Sequence, residues 1–153
     1  EKIYFFSDEH QALAVSTIKI FKDNPIIGSG PKTFRKKCLQ EKYIVKNKDN
    51  IFGCYTHPHN TYLQILAETG IVGFLVVLIL FLILLFNLSN LLIKKYFYKH
   101  LLYDNFKLGC LLCFLISLFP IVPSGNFFNN YLNILYYYPL GIYFGYSLIK
   151  KNV

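Results

Sequence analysis

Two histidines and an asparagine fall within four positions of one another in the stretch 56–70, THPHNTYLQILAETG. An imidazole titrates close to neutrality, so it can take a proton from a hydroxyl and give it back. His59 is the stronger candidate base. It directly precedes Asn60, whose side chain can cap a helix over 60–69, and the positive end of that helix disfavours the imidazolium form. His57 lies two positions earlier, across Pro58. The plainer alternative is that both rings only cap or hydrogen-bond their loop.

Upstream, the run NPIIGSGPKTFRKK at 24–37 could hold an anion. Gly28 and Gly30 open backbone angles closed to other residues, and Pro31 can set the first turn of a short helix over 31–37. Lys32 and Arg35 then follow a turn that leads to a helix N-terminus, a combination suited to phosphate. Arg35 is the single arginine beside fifteen lysines. GSGPK is not a nucleotide-binding loop, and a surface turn is the competing reading. Four cysteines fall into two pairs. Cys38 and Cys54 sit in a polar loop where a disulfide can form in an oxidising compartment. Cys110 and Cys113 sit in an apolar run and read as small buried hydrophobes. A metal module would have to recruit His10, His57, His59 and one of Cys38 or Cys54, because two histidines around one proline supply too few ligands. No metal and no cofactor are expected.

The elements that must position these residues can be read in order. Ser7, Asp8 and Glu9 open a helix over 8–22, with a hydroxyl cap and acids at the positive end of the dipole. His10, Leu13, Ala14, Thr17 and Phe21 recur on one face of it. Asn24-Pro25 ends it. Residues 39–52 are polar and without period, a connecting loop. Gly70 marks a stop or bend after the 60–69 helix. Three apolar segments follow, 71–93, 106–123 and 131–149, and the first has 23 uncharged residues, enough to cross a ~30 Å hydrocarbon core. With 54% hydrophobic residues and a mean hydropathy of +0.39, the 153-residue chain reads as an all-α integral membrane protein, a loop domain at 1–70 followed by membrane segments at 71–153. It starts at Glu1 and holds no Met, which reads as the C-terminal part of a longer protein. Its net charge of +8 suits lipid head groups or phosphates. No nucleic-acid module accompanies the charge, so no nucleic-acid partner is expected. The basic connector at 94–107 and the tail Lys150-Lys151 place those ends in the cytoplasm and residues 1–70 outside; the ten Lys and Arg of 1–70 weigh little, because the orientation rule weakens in long loops.

NPIIGSGPKTFR, then a polar loop, then HPHNTYLQILAETGIVGF, then apolar segments with PSGNFFNN between the last two, together resemble the C-terminal half of the O-antigen ligase and polymerase family. The resemblance covers nearly the whole chain, with HPHN and ETG its more specific part. It implies a GT-C-like, multi-spanning glycosyltransferase of the bacterial inner membrane with a helical periplasmic loop, inverting and metal-independent. The implied donor is an undecaprenyl-diphosphate-linked glycan and the acceptor a lipid A core sugar or another carrier-linked glycan. The family's functional histidine and following asparagine map onto His59 and Asn60. Where members commonly carry an arginine at the start of the loop's helix, this chain has His10. A non-enzymatic transporter or an assembly subunit of polysaccharide export would account for the membrane segments and leave HPHN unexplained.

Overall fold

A computed structural model describes residues 7–45, 53–98 and 105–149, and among them the chain is all-helical. The elements are α1 (Asp8–Asp23), α2 (Phe34–Lys37), α3 (Thr61–Tyr98), α4 (Asn105–Ser117) and α5 (Asn130–Ile149). They divide into two compact units: Glu1–Val76 with Pro120–Asn129, and Val77–Phe119 with Asn130–Val153.

In the first unit, α1 begins where the Ser7 hydroxyl accepts the His10 N–H and Asp8 and Glu9 occupy the first turn. It buries Ala12, Leu13, Ser16, Thr17 and Ile20. The face expected from spacing shares Leu13 and Thr17 with this one but is rotated: Ala14 and Phe21 are only half-buried, and His10 lies at the margin. The reason is Gly53, which packs so closely on Ala12 that a Cβ there would meet the Ala12 backbone. A small residue on α1 must face it. Leu13 and Ile20 join Phe34, Cys38, Tyr43 and Ala67 in the core. Cys38 and Cys54, their Cα atoms 5.2 Å apart, are disulfide-bonded, and Cys54 packs against the same core. The connecting segment is tied to the end of α1 as well, because the Tyr43 hydroxyl and the Lys42 ammonium both donate to the Asp23 carboxylate.

The short second helix starts at Phe34, three residues later than the sequence predicts from Pro31. Gly30 and Lys32 have φ of 100° and 59°, which hold 28–32 in a turn. That turn clasps α3. Pro25 O accepts the Ile71 N–H at 2.8 Å, Ser29 N–H donates to Ala67 O at 2.9 Å, and Gly30 N–H donates to Glu68 O at 2.8 Å. At the clasp α3 kinks: Gly70 has φ 68° and ψ −168°, so helix runs on both sides of one non-helical residue. A Cβ on Gly70 would strike Ile26 O, and one on Gly28 would strike the backbone of Glu68 and Thr69. Both glycines are required by close approach as well as by φ.

In the second unit the C-terminal part of α3, α4 and α5 are apolar. The helix 61–94 is long and apolar enough to cross a membrane, and it leaves large hydrophobic side chains such as Val76 and Phe86, 64% and 65% exposed, without protein cover. Among the described residues it is the one helix that meets both conditions. The segment expected at 106–123 is helical only to Ser117; its 13 residues rise about 20 Å, short of the ~30 Å core. Phe119 precedes Pro120 and is therefore biased out of helical geometry, and Pro123 follows. The twenty residues of α5 include six tyrosines and Pro139, which lower its hydropathy.

Candidate functional site

Three of the four histidines converge in the first unit. The His57 and His59 rings lie 4.2 Å apart between centroids, His10 lies 5.9 Å from His59, and Tyr55 6.0 Å from it on another side. His10 arrives on the first turn of α1, and the other two arrive on the loop that leads into α3. A cavity of about 50 Å³ opens among His10, Ala14, Pro58, His59, Asn60 and Leu63, with Ile121 and Pro123 closing it.

The three rings are held differently. The Ser124 carbonyl can only accept, so His57 Nε2–H donates to it at 3.2 Å, and the Nδ1 of the neutral ring accepts from Thr56 Oγ1 at 2.9 Å. Both His57 nitrogens are spent on the scaffold. His10 Nδ1 lies 2.8 Å from Ser7 Oγ, which leaves Nε2. His59 is held by its backbone instead: its carbonyl accepts the Ser124 N–H at 2.9 Å, and its φ of 56° lies in the left-handed region. That conformation costs free energy in a non-glycine residue and concentrates at functional sites. Neither ring nitrogen of His59 hydrogen-bonds to a described residue, and the ring lines the cavity.

The electrostatics favour the neutral form of His57 and His59. Burial, and then the neighbouring His10, hold His59 below the ordinary imidazole value; burial and then His59 lower His57, partly offset by its bond to Ser124. A neutral imidazole is the form that accepts a proton.

Asn60 has both ends of its amide engaged. Its Oδ1 accepts the Leu63 N–H at 3.0 Å as a helix cap, and its Nδ2 donates to Pro120 O at 2.7 Å. It holds the site together. The segment 120–129, of which the sequence assigns 120–123 to the second apolar segment and the rest to the SGNFFNN turn after it, is the other half of this brace. Thr61 Oγ1 donates to Ser124 Oγ at 2.7 Å, Gln64 Nε2 to Asn126 Oδ1 at 2.9 Å, and Phe127 N–H to Gln64 Oε1 at 2.9 Å. Sequence reasoning missed Ser124, Asn126, Gln64 and Glu68. The polar side chains in the helix 60–69 were the available signal, since Gln64 and Glu68 share one face of a helix that leads into an apolar run.

Lys32 and Arg35 are not brought to the histidines. The turn that carries them sits at the far end of the 61–69 helix, where Glu68, fully buried, accepts the Lys32 N–H at 3.0 Å, the Phe34 N–H at 2.7 Å and a Gln64 amide N–H at 3.0 Å. Eight residues of helix separate Asn60 from Glu68, roughly 12 Å along the axis. Both cationic side chains are exposed there. Among the described residues no group of three or more His, Cys, Asp or Glu is arranged to hold a metal ion.

Residues 11–78 match the family described as O-antigen ligase, a span that takes in Lys32, Arg35, both bonded cysteines, His57, His59 and Asn60 and stops one residue short of His10. No curated protein and no solved structure matches the chain.

Proposed function

We propose, from the match of residues 11–78 to the O-antigen ligase family, that the protein is a glycosyltransferase that moves a glycan from an undecaprenyl-diphosphate carrier to an acceptor hydroxyl, with His59 as the base. The observation that carries this reading is the difference between the histidines: His57 spends both nitrogens on Thr56 and Ser124, whereas His59 faces the cavity with neither nitrogen bonded to a described residue and with its basic form favoured.

The step balances without a metal or co-reactant. The acceptor O–H gives its proton to a nitrogen of His59 while its oxygen attacks the anomeric carbon. The bond from that carbon to the phosphate oxygen breaks with inversion, and the electron pair leaves on the diphosphate. Lys32 and Arg35, exposed at the far end of the 61–69 helix, are too far from His59 to touch the departing diphosphate, and their positive charge acts on the approach of the anionic donor. His10 lowers the basicity of His59 and borders the acceptor cavity. The acceptor is a lipid A core sugar or a second carrier-linked glycan. The protein lies in the inner membrane, with residues 1–70 in the periplasm, α3 crossing the bilayer, and the C-terminus in the cytoplasm.

The test is glycan transfer by full-length protein. A positioned base contributes on the order of 10²–10⁴-fold in rate. His59→Ala therefore loses that much turnover while expression and donor supply persist, and a variant that keeps more than about a tenth of wild-type turnover removes His59 from the base role.

A further inference from the structure

The tip of the turn that clasps α3 carries two consecutive isoleucines, Ile26 and Ile27, 64% and 77% exposed. Ile27 is the most exposed large hydrophobic side chain among the described residues of the first unit. Turns that face water are mostly closed by Gly, Pro, Asn, Asp or Ser, and two isoleucines left in water forfeit the free energy that their burial brings.

The backbone fixes where this tip stands along α3. Pro25 O accepts the Ile71 N–H at 2.8 Å, and Ile26 O accepts the Val72 N–H at 3.3 Å. Ile71 and Val72 open the uncharged run 71–93, whose residues rise about 34 Å, a little more than a ~30 Å hydrocarbon core. The isoleucines therefore sit at one edge of that core when the run spans it. Val72 and Val76, on one face of the helix, are exposed as well, so the apolar surface of the turn continues onto the span. The turn is also built to bear such surroundings, in which irregular backbone is tolerated only if its polar groups find partners within the protein. Asn24 O accepts the Gly28 N–H at 3.0 Å, α3 takes the Pro25 and Ile26 carbonyls, and Ser29 and Gly30 donate their N–H groups to Ala67 O and Glu68 O. Pro25 has no N–H to satisfy. Lys22 and Lys32 stand exposed on either side, and long cationic side chains there reach head groups while the residues between them enter the acyl region.

We infer that Ile26 and Ile27 are a membrane anchor, inserted among the lipid acyl chains at the bilayer face where α3 enters. The inference rests on reading α3 as a membrane span. Lipid is the occupant because the patch is continuous with that span and level with its end. The test uses full-length protein in liposomes, its other free thiols replaced and the Cys38–Cys54 bond intact, with one fluorophore on Ile27→Cys or on Leu82→Cys near mid-span, both exposed positions. Lipids brominated high on the acyl chain quench the label at 27, lipids brominated near the chain end quench the label at 82, and aqueous iodide quenches neither. Loss of lipid quenching at 27 alone overturns the anchor. Iodide then separates the two ways it fails: quenching puts the tip in water, and protection puts it under another protein segment. Loss of lipid quenching at both positions overturns the span, and the anchor with it. Ile26→Cys repeats the measurement one residue away and serves if the label at 27 disturbs the turn.

Discussion

His57 and His59 have the same side chain two positions apart, and their surroundings hold them differently. The desolvated ring of His59 beside His10 stays neutral to a lower pH than an ordinary imidazole, so with His59 as the proposed base, transfer is expected to persist as pH falls through about 6.5 and to decline only below it. His10→Gln removes the neighbouring imidazole that, after burial, lowers His59, and so moves the acid limb of kcat/KM up towards 6.5; pH profiles of the two proteins check this, and an unmoved limb excludes His10 from tuning His59. The sign for stability follows from the same shifts. Both His57 and His59 are depressed in the folded protein, so their contribution is present above the unfolded value near 6.5 and is lost as pH falls through the folded values. His57→Ala, by contrast with His59→Ala, removes the tie to Ser124 and shows first as lowered stability of the loop, by about 1 kcal/mol, with a smaller loss of rate. At Glu68 one buried carboxylate accepts from Lys32, Phe34 and Gln64. Glu68→Gln turns an N–H towards at least one of those donors and costs roughly 1–3 kcal/mol, read as a lower Tm of the purified protein.

The clasp of the 24–34 turn on α3 depends on the kink at Gly70. Alanine there must hold φ 68° and place its Cβ against Ile26 O, so Gly70→Ala costs more than the roughly 1–3 kcal/mol of backbone strain alone. Gly109 in α4 is the control: a Cβ at that position meets nothing within 4 Å, and Gly109→Ala is neutral or stabilising by about 0.5–1 kcal/mol. Thermal melts of both variants in the same detergent distinguish a required glycine from an incidental one. The brace formed by 120–129 makes the equivalent statement about a loop. Asn60→Ala loses a helix cap, about 0.5–2 kcal/mol, together with the bond to Pro120.

At the level of the molecule, the Cys38–Cys54 bond closes the polar loop three residues before His57. In the chain-entropy account a loop of this length contributes roughly 3 kcal/mol. Reduction therefore lowers the Tm of the full-length protein, and Cys38→Ser with Cys54→Ser lowers it equally and leaves it insensitive to reductant. The proposed orientation is checked by single cysteines at Ser7 and Asn152 in a background without the other thiols. An impermeant reagent applied to intact cells, with the outer membrane made permeable, labels Ser7→Cys and spares Asn152→Cys. The reverse pattern removes the periplasmic chemistry.

Local chemistry decided what could be read without coordinates. A hydroxyl and two acids start α1, Asn-Pro ends it, an asparagine caps the helix after HPHN, and an uncharged run makes 71–93 apolar; each follows from the free energy of a few neighbouring residues. HPHN and ETG carried the resemblance that residues 11–78 bear out. Tertiary structure alone decided the rest, because it depended on groups far apart in the chain. Gly53 rotates the buried face of α1 towards Ala12, and the turn at 28–32 delays α2 to Phe34. Ser124, some 65 residues downstream, accepts the His57 Nε2–H in a hydrogen bond through its carbonyl and fixes His59 through the backbone. Lys32 and Arg35 stand at one end of the 61–69 helix and His59 at the other, since Glu68 binds their turn and Asn60 caps the opposite terminus. Spacing along a sequence fixes which face a side chain shares with its neighbours, while hydrogen bonds across 60 or more residues fix which nitrogens remain for chemistry.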